Sequence, residues 1–138
     1  MNSNAVVVDA SALVAAVADI GPIGEQARAQ LRDRRRSAPF LIDAEAGSAL
    51  RSMALRGDLD ERAAESARLL AERTIHHRHP HHGPLAARAW QLRHNLAFYD
   101  ALYLALAESL NSPLVTADTR IARAQPDHPL ILPVHHPN

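Results

Sequence analysis

Four acidic residues stand beside apolar runs. They are Asp9 after Ala5-Val6-Val7-Val8, Glu45 after Leu41-Ile42, Asp100 within the run 96–103, and Asp118 after Leu114-Val115-Thr116-Ala117. A carboxylate next to a buried run loses its hydration, and that is costly unless a partner replaces the water. Four of them along one small chain point to a shared partner, and a divalent cation is the simplest. An all-oxygen donor set, in a chain with no Cys, selects a hard cation, Mg²⁺ or Mn²⁺. Such ions activate a water and stabilise both oxygens of an in-line phosphate displacement. No Gly-rich phosphate cradle is present, so the phosphate suits a nucleic-acid backbone better than a nucleotide cofactor.

Each acid also has a plainer reading. Asp9, Asp43 and Asp118 precede helical stretches, where Asp is a favoured cap. Glu45 and Asp100 come early in helices, where the macrodipole favours negative charge. Capping does not account for Asp100, which sits among Phe98, Tyr99, Leu102 and Tyr103 while Asn95 is the better-placed cap. Asp43 is read as the cap of its own helix.

Composition narrows the chemistry. The 138 residues carry a formal net charge of zero, and every basic residue is Arg. Without Lys there is neither a P-loop nor a Schiff base, and phosphotransfer sites that set a Lys beside magnesium-binding acids fit poorly. Without Cys there are no disulfides, thiolate nucleophiles or Cys-type zinc sites. No apolar run approaches the roughly 20 residues of a membrane span, and Met1-Asn2-Ser3-Asn4 lacks the basic start of a signal peptide. A cytoplasmic protein is expected.

The elements that must position the acids follow from periodicity. Residues 5–8 read as a strand, 12–18 and 23–35 as helices, and 39–42 as a second strand before a helix at 44–56. Asp60 is placed to cap a helix over 61–73. The His-rich stretch 74–84 reads as irregular and solvated. Helices follow at 85–94 and 98–110, then a strand at 114–117, a short helix at 119–124 and an edge strand at 130–134. Strands alternating with helices predict an α/β fold, a mainly parallel central sheet sandwiched by helices, in a single domain over 1–138. Ligands in such folds bind beyond the carboxyl ends of the strands, and all four acids can face that end.

Taken in order, the segments 7–13, 43–51, 98–108 and 114–120 resemble the successive motifs of PIN-domain ribonucleases, and more closely the VapC toxins of bacterial VapBC toxin–antitoxin modules. The resemblance spans nearly the whole chain. It implies a PIN-like fold and a bacterial endoribonuclease that needs Mg²⁺ or Mn²⁺. The implied substrate is structured or single-stranded RNA loops, of tRNA or rRNA. It also implies neutralisation by a cognate antitoxin, and a homodimer. Carried over by position, Asp9, Glu45, Asp100 and Asp118 form the catalytic and metal-binding quartet. Ser11 and Thr116 match hydroxyls that orient a carboxylate or a metal-bound water. Asp9, Asp100 and Asp118 hold the principal metal, and Glu45 completes the site or places the attacking water. A catalytically inactive PIN-like RNA- or protein-binding module is the alternative, and a small phosphatase or DNA nuclease of similar architecture is a third.

Other features have structural readings. His76, His77, His79, His81 and His82 are broken by Pro80 and Gly83 and lack helical metal-pair spacing. Arg34-Arg35-Arg36 suits a helix end, with a phosphate-contacting patch as the alternative. Trp90 reads as a core or dimer-interface residue. Tyr99 and Tyr103 read as core, with the Tyr99 hydroxyl near the site. Glu108 lies more than two turns beyond Asp100 and is left out.

Overall fold

Three consecutive valines, Val6, Val7 and Val8, are wholly buried and make the central strand β1 (Ala5–Val8). In this computed structural model, which describes residues 4–134, four more strands join it: β2 (Arg35–Pro39), β3 (His77–His79), β4 (Leu114–Thr116) and β5 (Ile131–Pro133). All pairings are parallel, and the order is β3-β2-β1-β4-β5. Buried on both faces, such strands read as unbroken apolar runs rather than alternating ones. The chain steps outward from β1 to β3, then returns to lay β4 on the other side of β1. That reversal opens a crevice beyond the carboxyl ends of β1 and β4.

The helices are α1 (Ala10–Ala18), α2 (Pro22–Leu31), α3 (Ile42–Arg56), α4 (Glu61–Thr74), α5 (Pro84–Gln91), α6 (Phe98–Leu110) and α7 (Thr119–Ala124). Helix α1 packs on α2, α3 and α4, while α6 packs on α5 and against β1, β2 and β4. Right-handed crossovers put these two groups on opposite faces of the sheet. Helix α6 is buried without a break from Ala101 to Ala107. Each Leu it sinks into the core stabilises the fold by about 1.5–3 kcal/mol, so the first turn of α6, with Asp100, is held firmly. Close approach also fixes the α1–α2 corner. A Cβ on Gly24 would lie 1.8 Å from the Asp19 carbonyl oxygen, so only glycine fits there.

The expected layout holds, with three differences. The second strand is Arg35–Pro39 and not 39–42, and α2 ends at Leu31. Arg35 and Arg36 therefore pair in the sheet beside Ala5 and Val6 rather than closing a helix. The Arg36 guanidinium makes this possible by donating to the carbonyls of Leu31, Arg34 and Thr74. Phe40, expected in a strand, is half exposed, and α3 already begins at Ile42. Second, the His-rich stretch is not wholly irregular. His77–His79 forms the edge strand β3, in register with Ser37, Ala38 and Pro39. Backbone pairing with β2 overrides its polar composition.

Third, two caps differ. Leu41 holds the N-cap position of α3, and Asp43 is a first-turn residue whose carboxylate accepts two bonds from Arg78, at 2.5 and 2.8 Å. Asp43 ties α3 to β3. Asp60 occupies the N-cap position of α4 without a side-chain capping bond. No helix among the described residues is long and apolar enough to cross a membrane.

Candidate active site

Asp9 follows β1 directly, in extended conformation, and its Oδ1 accepts from Ala12 N at 2.9 Å to cap α1. Ser11 Oγ donates to the same oxygen at 2.7 Å, and Thr116 Oγ1 donates to Oδ2 in a short bond. Both hydroxyls are themselves fixed. Ala117 N donates to Ser11 Oγ at 2.9 Å, and Asp118 N to Thr116 Oγ1 at 3.0 Å. A single network thus clamps the β1–α1 junction to the β4–α7 junction, with Asp9 at its centre. Ser11 and Thr116 thus each donate to one oxygen of the Asp9 carboxylate.

The other three acids reach the same crevice from separate elements. Glu45 comes from the first turn of α3, Asp100 from the first turn of α6, and Asp118 from the N-cap of α7. A cavity of about 290 Å³ is lined by all four, with Ser11, Tyr103 and Arg120. Tyr103 and Arg120 were missed as site residues, though each carried a signal. Tyr103 is three residues past Asp100 and so shares its helix face. Arg120 is two residues past Asp118.

The electrostatics show a site short of positive charge. Burial raises the Asp9 carboxyl from its usual range to about 6, against the pull of its three donors, and Asp100 adds to the rise. Burial likewise raises Glu45, opposed by a 2.6 Å bond from the Tyr103 hydroxyl and reinforced by Asp100. Asp100 is raised by burial and then by Asp118. It has no hydrogen-bond partner among the described residues. Asp118 alone is lowered, because Arg120 donates to both its oxygens, at 3.0 and 2.7 Å.

This donor set fits a hard divalent cation. It is all oxygen, three of its carboxylates are held above their usual range, and Asp100 is a half-buried acid without a donor. The shell is not closed as the side chains stand. Among the described residues no three His, Asp or Glu groups converge on one point. Arg120 occupies Asp118 with a guanidinium whose side chain is 80% exposed.

The remaining sequence candidates lie elsewhere. Asp43 is on Arg78. Glu108 bridges Arg88 and His128, in keeping with its exclusion. Tyr99 is exposed, and it is the Tyr103 hydroxyl that reaches the acids. Trp90 is 60% exposed with the Arg93 guanidinium 4.9 Å over its ring, so it is not a core residue.

The PIN domain model matches residues 6–125, nearly all of the described residues. The chain belongs to the PIN domain family. Within it the chain is a VapC relative, 45% identical over 118 residues to Ribonuclease VapC1 of Mycobacterium tuberculosis, covering 86% of this chain and 89% of that one. Among solved structures it is similar to PAE2754 from Pyrobaculum aerophilum, with a TM-score of 0.70, 27% identity, and coverage of 94% and 89% of the two chains. It also shares its fold with Mycobacterium tuberculosis VapC20, described as a sarcin-ricin loop cleaving toxin, at a TM-score of 0.64 and 19% identity over 87% and 95% of the chains. The four acids lie within the matched PIN region, on the elements that build its crevice.

Proposed function

We propose that this PIN domain is the endoribonuclease toxin of a VapBC-type module, cutting phosphodiester bonds in RNA with Mg²⁺ or Mn²⁺. The observation that carries this reading is the cavity where Asp9, Glu45, Asp100 and Asp118 meet. A binding module has no use for four converging carboxylates, three of which burial and mutual repulsion destabilise. The names of the relatives, ribonucleases throughout, supply the substrate class. A cognate antitoxin and a homodimer accompany this reading.

Asp9, Asp100 and Asp118 would hold the cation. When bound, it supplies Lewis-acid polarisation of the scissile phosphate and of the attacking water. Ser11 and Thr116 keep the Asp9 carboxylate, which lines the cavity, from rotating. Glu45 has one oxygen tied to Tyr103, so its other oxygen accepts the proton of the attacking water. Its raised affinity for protons suits that work near neutral pH. Arg120, at the rim, exchanges Asp118 for a phosphate oxygen of the RNA.

The test is cleavage of RNA by the purified chain with Mn²⁺, alongside EDTA and an Asp100→Asn variant. RNA fragments that need Mn²⁺ and wild-type Asp100 support the reading. Equal cleavage by Asp100→Asn sinks the assignment. Mass in solution, alone and with a co-expressed antitoxin, tests the partners.

A further inference from the structure

Next to the acidic cavity lies a second one, of about 460 Å³, that shares Glu45 and Ala49 with it. One wall is the face of α3 that carries Leu41, Ala44, Ser48 and Ser52, and the other is Tyr99 at the start of α6. Three properties define what this groove can hold. It contains no cationic side chain, and its one charge is the shared Glu45, so nothing in it draws a phosphate. Its floor is small and apolar, and the Ser48 and Ser52 hydroxyls make no hydrogen bond within the described residues. Tyr99 is 61% exposed, so its aromatic ring is open to a stacking partner.

Tyr99 is also the neighbour of Asp100 in the chain, on a helix anchored in the core. Its backbone is therefore held at a set position beside the carboxylates. A scissile phosphate at the acids brings a nucleoside on each side, and one of these must leave along a wall of the cavity. We propose that the groove between α3 and Tyr99 is a nucleobase subsite. The base next to the cleaved phosphodiester stacks on Tyr99, and Ser48 and Ser52 offer hydroxyls to its edge. This rests on the ribonuclease reading and deepens it. Stacking on one aromatic ring tolerates every base, while the two hydroxyls supply a preference among them.

The experiment uses a short RNA whose cleavage position has been mapped with the wild-type chain and Mn²⁺. Tyr99→Ala and Tyr99→Leu are expected to raise KM by about tenfold with kcat near wild type. Tyr99→Phe and Tyr99→Trp keep a planar ring and are expected to keep the KM. Ser48→Leu fills the groove from the α3 side and is expected to raise KM without touching Tyr99. An abasic residue beside the cleavage position raises KM for the wild type but adds nothing for Tyr99→Ala, because the same contact is already gone.

A wild-type KM in Tyr99→Ala overturns the proposal, as does an abasic penalty of equal size in both proteins. A variant whose only change is its mass in solution assigns the groove to a second copy and also overturns it. Failure of the ribonuclease reading shows separately: the wild type then cuts no RNA with Mn²⁺, and the subsite falls with it.

Discussion

The Tyr103 hydroxyl donates to Glu45 Oε1 at 2.6 Å, joining two helices whose residues are 58 apart in sequence. The ring is buried in the core, and only its oxygen reaches the acids. Burial, the bond to Glu45 and the neighbouring carboxylates push its own pKa up, so it stays a protonated donor. Its bond lowers the Glu45 pKa against the rise caused by burial. Tyr103→Phe removes only that bond, so Glu45 rises further and is less ionised at any given pH. The acid limb of the kcat/KM profile is expected to move to higher pH, with a stability loss of about 1–2 kcal/mol. An unmoved limb in a folded variant removes Glu45 from the proton transfer.

Asp9 links the site to stability. Its carboxyl titrates near 3.8 when unfolded and near 6 when folded, so the native state binds more protons between those values. Stability from this group is complete below the unfolded value and is lost as pH rises through 6, by about 3 kcal/mol for a shift of this size. Asp9→Asn escapes that loss but weakens the bond from Thr116, worth about 1 kcal/mol. In EDTA the variant is expected to be about 1–2 kcal/mol more stable than wild type at pH 7, with no advantage at pH 4, while RNA cleavage is lost. Denaturant titrations at the two pH values check this. An advantage that persists at pH 4 points to some other cause.

Arg120 competes for Asp118. Removing the guanidinium in Arg120→Gln frees Asp118 Oδ2, leaves Oδ1 with only the backbone bond from residue 120, and takes a positive charge off the cavity rim. Calorimetric titration is expected to show Mn²⁺ binding tightened by roughly three- to tenfold. KM for RNA is expected to rise, with a shallower dependence on salt, since one phosphate contact is gone. Unchanged metal affinity refutes the competition.

Glu108 is an acid with a structural task. It accepts from Arg88 at 2.8 and 3.2 Å, and its Oε2 lies 3.0 Å from His128 Nε2. Arg88 holds its pKa below the usual value of 4.5, so its contribution is present above that value and fades as pH falls below it. Glu108→Ala is expected to cost about 1 kcal/mol or less at neutral pH, since the group is partly exposed. The difference from wild type closes as pH falls below 4.5, and RNA cleavage stays at wild-type rates. A kinetic defect in this variant extends the site beyond the crevice.

Much of the layout is legible in the residues alone. The short β-branched run Val6-Val7-Val8 reads as a buried strand and the longer apolar span of α6 as a buried helix, each within one window of sequence. The acids are legible for the same reason, since they sit next to those runs. Where local signals mislead, a distant partner is responsible. Arg35 and Arg36 look like a helix end, yet β1 recruits them as a strand. The polar tract at His77–His79 looks like a loop, yet β2 pairs with it. Asp43 looks like a cap, yet Arg78, 35 residues on, takes its carboxylate.

The sequence by itself determined the alternation of strands and helices, the order of the four acids, and an all-oxygen donor set without Cys that makes a hard cation the expected partner. Only the tertiary structure decided who meets whom. It put Tyr103 on Glu45, Ser11 and Thr116 on Asp9, and Arg120 on Asp118, and it opened the groove beside Tyr99. Periodicity and capping are set by residues within a turn or two of each other. The meeting of side chains across the β1–β4 crevice is set by sheet order and helix packing, which carry no signature at any single position.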